Sequence, residues 1–319
     1  MSRMRGIAAL TLCTFAFLAH AQPLPAKTVH LVVPYTPGTG ADILARALGP
    51  KLGERWKVAV VTENKPGATG NIGAEFVAKA PADGSTLLVA ATSFATNPAL
   101  NAAPYDPVKS FAPVIVAATS ALGVLVNPQV PAHSMRELIE TARRQPGKLH
   151  YGSPGNGGVQ HLAMELIKIE AGIDLVHVPY KGLGGMLNDL VGGHVQAGVS
   201  ALQSAASHVQ SGRLRMLAVM SAERSAAFPE VPTMREQGLP QLEVETWYGV
   251  FAPAGTPAAA ISKLNADFDA LLQDAQMREF LARQGMTSAG GPPDRLAALV
   301  RHELARWTRV VKLAGIKAD

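Results

Sequence analysis

The 319-residue chain predicts an α/β fold, parallel-rich sheets flanked by helices, divided into two lobes around a cleft. Three observations predict it. Short apolar runs alternate with helical patterns of ten or so residues, the order expected of parallel strands joined by crossover helices. Two strands run straight into loops of Pro, Gly and small polar residues that open a helix: "VHLVV" into "PYTPGTGAD" (34–42), and "LHY" into "GSPGNGG" (152–158). The pattern is also interrupted near 119–122 and again near 221–232, where "SAERSAAFPEVP" intervenes. The chain therefore crosses between two halves twice, which makes a hinge.

The apolar, β-branched runs place strands at 29–33, 59–62, 86–90, 114–117, 123–126, 148–151, 174–178, 197–200, 216–219 and 248–251. Between them, helical spacing of apolar residues covers 41–53, 70–79, 134–144, 160–171, 184–190 and 202–211. The last quarter is nearly all helical, over 256–273, 275–284 and 294–313, with Thr256-Pro257 as a cap and first-turn proline. Lobe one comprises 22–121 with 222–319, and lobe two 122–221. The hydrophobic share of 48% supplies a core, and 17% charge argues against disorder.

The N-terminus reads as an export signal spanning 1–21. Arg3 and Arg5 precede an apolar stretch from Gly6 to Leu18, and Ala19-His20-Ala21 forms a small-x-small cleavage site. Cys13 is the one cysteine and lies inside this segment; Leu12 before it speaks against a lipoprotein box. The remaining chain has neither disulfide nor thiol chemistry. Export without disulfides fits a soluble periplasmic protein. Removing the two arginines takes the net charge from +5 to +3. The other basic residues are spread out, with no stripe for a nucleic-acid backbone.

The glycine loops carry the chemistry. A helix N-terminus presents unpaired N–H groups and the positive end of the backbone dipole, and glycine lets a ligand approach them closely. A strand, a glycine-rich loop and a helix start thus make an anion site. In the first loop Gly38, Thr39 and Gly40 offer amides, and Tyr35 and Thr36 offer hydroxyls, although Tyr35 is equally suited to packing. Asp42 is read as capping its own helix. In the second loop Ser153, Gly155, Asn156, Gly157 and Gly158 take the corresponding part. His161, one turn into the helix, serves either the ligand or the backbone beneath the loop. "ATSFATNP" (91–98) adds Thr92, Ser93 and Asn97. "NKPGATGNIGAE" (64–75) and "VPYKGLGG" (178–185) are further loop-to-helix starts, and Lys181 is either a ligand cation or a rim lysine. Six such charge-assisted donors, at roughly 1.5–3 kcal/mol each, suffice for micromolar capture of a small carboxylate. No cofactor or metal motif accompanies them. Ile43 and Gln160 stand where dinucleotide fingerprints need glycine, and Tyr151 stands where a nucleophile elbow does.

"PYTPGTGADILAR", "VVTENKPGATGNIGAEFVAKAPADGSTLL", "LHYGSPGNGGVQHLAMEL", "VHVPYKG" and "APAGTP" resemble, in order, the Bug-type receptors of tripartite tricarboxylate transporters. The resemblance covers nearly all of the chain past the signal segment. It implies a two-lobe periplasmic-binding-protein fold, type II-like, closing on a small organic acid. It also implies two membrane partners, one large and one small permease subunit. The positions matching the family's ligand contacts are Tyr35, Gly38, Thr39, Thr69, Ser93, Ser153, Asn156, Gly157, His161 and Tyr180. Two departures stand out. Thr39 replaces the second of two adjacent glycines, and Ser200-Ala201 replaces an Asp-Asn pair, which makes Ser200 a candidate contact and implies a ligand without a free amine. The expected function is a monomeric, non-enzymatic receptor that captures a di- or tricarboxylate or related acid for transport. The alternatives are a subunit presenting the acid to a sensor kinase and a hydrolase built on a Ser153–His161 dyad.

Overall fold

The computed structural model describes residues 28–100 and 103–316; the expected signal segment lies outside them. The chain begins with β1 (Thr28–Val33), α1 (Gly40–Trp56), β2 (Ala59–Asn64), α2 (Asn71–Ala78), β3 (Thr86–Ala91) and α3 (Ser93–Ala99). Strand β4 (Phe111–Val126) leads to α4 (Met135–Arg144), β5 (His150–Ser153), α5 (Val159–Ala171), β6 (Val176–Pro179) and α6 (Leu183–Gly192). Next come β7 (Ala197–Ala201), α7 (Leu202–Gln210) and β8 (Arg215–Val219). The chain ends with β9 (Glu245–Pro253), α8 (Ala258–Leu272), α9 (Ala275–Arg283), β10 (Thr287–Ser288) and α10 (Pro293–Ala314).

The strands follow the order β2-β1-β3-β9-β4-β7-β5-β6, with β8 and β10 also on β4. Pairs β1–β2, β1–β3, β5–β6 and β5–β7 are parallel, as crossover helices require. Strand β4 joins the two ends. Its residues up to Ala121 pair antiparallel with β9, and those from Leu122 pair with β7.

The sequence led us to expect two strands with a break at 119–122; instead β4 is one 16-residue strand. The small residues of "AATSALG" weaken the apolar signal, but backbone pairing with β9 continues through Ser120 opposite Thr246, and the Ser120 hydroxyl donates to Gly285 O at 2.9 Å. The return also differs in detail from the interruption read at 221–232. Val219 N bonds Pro232 O, Met234 N bonds Val219 O and Val244 N bonds Met220 O, which ties residues 219–244 to the second sheet end. The chain passes back at Glu245, directly opposite Ala121. Both crossings are therefore neighbours on one antiparallel pair.

Packing divides the same way. Val29, Leu31, Leu44, Leu87, Val250 and Phe268 share one core, and Val124, Tyr151, Leu162, Val199 and Leu217 share another. Helix α10 contributes Leu296 and Val300 to the first end, and Trp307 and Val310 to the second. At 22 residues, about 33 Å, it is long enough to span both. Lobe one was expected to hold all the C-terminal helices, but the far half of α10 packs on the other end. Helix starts follow local chemistry. Ser134 accepts from Glu137 N before α4, and Asp274 accepts from Met277 N before α9. Thr256 instead turns its hydroxyl back to Pro253 O, so α8 begins at Ala258.

Candidate functional site

The first loop leaves β1 at Pro34 and enters α1 at Gly40. Gly38 holds φ at +84°, a region glycine tolerates without strain. Asp42, 3% exposed, accepts the Gly38 N–H at 2.9 Å, Asn64 Nδ2 at 2.9 Å and Arg46 Nε at 3.0 Å. Asn64 also donates to Tyr35 O at 3.0 Å. Burial works against the Asp42 carboxylate, yet the bonds from Arg46, Gly38 and Asn64 outweigh it and hold the carboxyl below its usual range. Asp42 is thus a loop brace in the third helical position rather than an N-cap side chain.

Tyr35 turns its hydroxyl inward, accepting Ala91 N–H at 3.0 Å and meeting Ser93 Oγ at 2.7 Å. Burial raises the Tyr35 phenol, so it stays a donor at neutral pH. Either hydroxyl can donate in the Tyr35–Ser93 pair; when Tyr35 donates, Ser93 keeps its hydrogen for another acceptor. Tyr35, Thr69, Gly70, Ser93 and Tyr105 line one narrow gap. Thr69 is exposed, and Ala68 and Thr69 hold φ at +45° and +55°, uncommon for residues with a Cβ. Asn97 Nδ2 fixes that turn by donating to Thr69 O at 3.0 Å.

The second loop runs from Ser153 to Gly158 and opens α5. His161 Nδ1 accepts the Gly157 N–H at 3.0 Å, the backbone-bonded geometry of the two open to it in the sequence. The His161 ring stacks on His177, with centroids 3.8 Å apart, and Ser153 Oγ meets His177 Nε2 at 2.7 Å. Burial lowers the His177 imidazole and favours its neutral form.

Helix α3 ties the loops together. Ser93 at its start touches Tyr35, and Leu100 just past its end packs so closely on Gly157 that a Cβ there would lie 2.4 Å from Leu100 Cδ1. The seven residues between measure about 10 Å. Helix α3 and the residue after it thus touch both glycine-rich loops.

Several residues expected to face a ligand are bonded internally. The Gly38 and Gly157 amides go to Asp42 and His161. Thr39 Oγ1 donates to Thr36 O at 3.0 Å. Thr92, 2% exposed, accepts Trp247 N–H, and Ser153 is 0% exposed. Tyr180 donates to Asp189 at 2.7 Å, which with burial raises its phenol to about 12. Buried Ser200 donates to Ala201 O at 3.1 Å. Buried Thr92, Ser153 and Ser200 must satisfy their own polar groups within the fold, whereas Gly38, Thr39 and Tyr180 are at least partly exposed and are held by local bonds. Ser153 is buried and its hydroxyl meets His177 Nε2, so the structure pairs it with His177 where the sequence suggested a dyad with His161. Thr36 and Asn156 are exposed at their loop tips, and Lys181 is exposed on the rim.

One residue was not found in the sequence. Tyr248, on β9, sits so close to the first turn of α1 that a Cβ on Gly40 would lie 2.2 Å from its hydroxyl. Burial, then the neighbouring Tyr35, raises its phenol to about 12, which keeps a neutral donor at the helix N-terminus. Only the missing side chain of Gly40 signals it, across 208 positions.

Comparison with known proteins gives the setting for this geometry. A family described as the tripartite tricarboxylate transporter family receptor matches residues 44–316. BugT of Bordetella pertussis is 33% identical, with 99% of each chain covered. The solved structure of Rpa4515 of R. palustris with adipate is 37% identical at a TM-score of 0.76, covering 92% of this chain and 99% of that one. MatC of Rhodopseudomonas palustris with bound malate is 31% identical at a TM-score of 0.73, covering 90% and 99%. The chain belongs to the tripartite tricarboxylate transporter receptor family.

Proposed function

We propose that this receptor captures a small organic di- or tricarboxylate, or a related acid, between two lobes and delivers it to the membrane subunits of its transporter. The carrying observation is helix α3, about 10 Å long, which places Ser93 against Tyr35 of the first loop and is followed by Leu100 against Gly157 of the second. One carboxylate takes the first turn of α1, with Tyr248 and Ser93. The other takes the first turn of α5, beside Asn156. Related receptors solved with adipate and malate support the ligand class.

The lobes in this reading are the two sheet ends, hinged where Ala121 faces Glu245, and a bound acid draws them together. Among the described residues no helix is long and apolar enough to cross a membrane, which agrees with an exported, periplasmic receptor. It acts as a monomer, without catalysis, toward one large and one small permease subunit. Its ligand lacks a free amine, because Ser200 and Ala201 bring no carboxylate to pair with one.

The test is a thermal-shift screen against a panel of organic acids, followed by calorimetric titration of the hits. Acids that bind raise the melting temperature by mass action. At least one dicarboxylate should bind at micromolar Kd, with the affinity reduced by Ser93→Ala. Binding confined to α-amino acids, or turnover of the bound acid, would refute the reading.

A further inference from the structure

A cavity of about 460 Å³ lies away from the glycine loops, at the crossings between the sheet ends. Strand β4, the segments around residues 220–222 and 243–247, and one face of α10 line it. Glu245 and Trp247 point to one face of β9, with Glu243 two residues before the strand begins, whereas α10 brings Arg295, His302 and Arg306, seven and four residues apart, together with Glu303. Met220 and Leu299 supply apolar surface between them.

The polar groups are unequally satisfied. Glu243 is clamped by Arg235 at 2.7 and 3.0 Å. Arg306 donates to Gln241 O at 3.0 Å and lies 3.9 Å from Glu303. Arg295 donates to Gly290 O at 2.9 Å. Glu245 is different: among the described residues no hydrogen bond or ion pair holds it. Burial, reinforced by Glu243 and opposed by Arg295, raises its carboxyl. The indole N–H of Trp247, 2% exposed, also has no partner. The Glu245 carboxyl has the charge of Arg295 near it but no side-chain hydrogen bond, and the Trp247 indole N–H has no partner, a cost that a bound polar molecule relieves.

We propose that this hinge cavity binds a small zwitterion, an α-amino acid with a short apolar side chain. Its ammonium group meets Glu245, its carboxylate faces Arg295 and Arg306, and its side chain lies against Met220 and Leu299. A volume of this size accommodates such a molecule. A simple acid leaves Glu245 unpaired, and a simple amine leaves the arginine wall unused, so both charges are required. Because the cavity is lined by both crossings and by the helix that spans them, an occupant restrains hinge motion. The site is separate from the acid site, and the proposal does not rest on that reading.

The test is calorimetric titration of the full chain with leucine, with its deaminated analogue 4-methylpentanoate, and with its decarboxylated analogue isopentylamine. Leucine should bind, and each analogue should bind at least tenfold more weakly. Glu245→Gln should weaken leucine by tenfold or more. Ala298→Trp, filling the cavity from an exposed helix position that lines it, should abolish leucine binding with an unchanged melting temperature. Ser93→Ala should leave leucine binding intact. The proposal is overturned if leucine does not bind, if 4-methylpentanoate binds equally well, or if leucine binding survives Glu245→Gln and Ala298→Trp but is lost with Ser93→Ala.

Discussion

Replacing Asp42 with Asn tests whether the first loop is braced from within. The carboxylate is 3% exposed and receives Gly38 N–H, Asn64 Nδ2 and Arg46 Nε at 2.9 to 3.1 Å. Asn keeps the shape but loses the charge, and its amide nitrogen must face one of those donors. One lost charge-assisted bond and one orphaned donor, each about 1.5–2 kcal/mol, together cost about 3 kcal/mol. The Arg46 share is discounted because that side chain is 53% exposed. For a chain of this size 1 kcal/mol moves Tm by about 2 °C, so the variant should melt roughly 6 °C lower. The pH dependence supplies the sign check. A carboxyl depressed on folding contributes stability above its unfolded pKa, near 3.9, and loses that contribution as pH falls through the folded value. Scanning calorimetry should therefore find a constant gap between wild type and variant at neutral pH, closing below about pH 4. A gap under a degree at neutral pH, or one that persists undiminished in acid, refutes the brace.

Three further outcomes are expected. Thr69→Gly should raise the urea midpoint, since relieving a left-handed β-branched residue is worth about 1–3 kcal/mol against roughly 0.5–1 lost to glycine's unfolded freedom, yet it should weaken acid binding in titration. Gly40→Ala forces a methyl onto the Tyr248 hydroxyl and should cost about 1–3 kcal/mol by chemical denaturation, with Tyr248→Leu in the same chain recovering most of it. His161→Leu removes the acceptor of a buried Gly157 amide and should cost about 1–3 kcal/mol while lowering acid affinity; His161→Gln, which keeps an acceptor, should lose less on both measurements.

The strands and most helices were legible in the sequence because each follows from local periodicity. Strand β1 is a mostly apolar run whose valines and Leu31 are buried, and the glycine runs mark helix starts wherever backbone must turn with positive φ. What stayed hidden is non-local. Strand β4 runs unbroken through "ATSA" because β9 supplies a partner 120 residues later, where Ala121 meets Glu245 (245 − 121 = 124 positions apart). Helix α3, whose seven residues end in Pro98-Ala99, was not among the helices expected from the sequence, yet it carries Ser93 and touches the first loop. The donors of the site were readable as residue types but not as free groups. A sequence counts the hydroxyl of Thr92 and the amide of Gly38 alike, and only the fold reveals that Trp247 N–H and Asp42 already hold them.

That internal use of donors has a consequence for affinity. A loop whose own amides were all free would be flexible and would have to be ordered by the ligand, at a cost subtracted from binding. Here Gly38 is held by Asp42, Gly157 by His161, and Thr69 O by Asn97, so the backbone is fixed before an acid arrives. In the proposed reading the ligand meets few groups: the first-turn amides of α1 and α5, Ser93 beside Tyr35, and Tyr248 beside Gly40. A small set of preorganised donors recognises charge and spacing but touches little of the carbon chain between two carboxylates. Under the proposed reading, specificity among acids rests on how the two helix starts are spaced, and Leu100, packed on Gly157 just past α3, is the contact through which that spacing can be tested. Leu100→Ala, which lets the second loop settle toward Gly157's neighbour, should shift preference toward shorter dicarboxylates in competition titrations; an unchanged order of affinities would show that the span is set elsewhere.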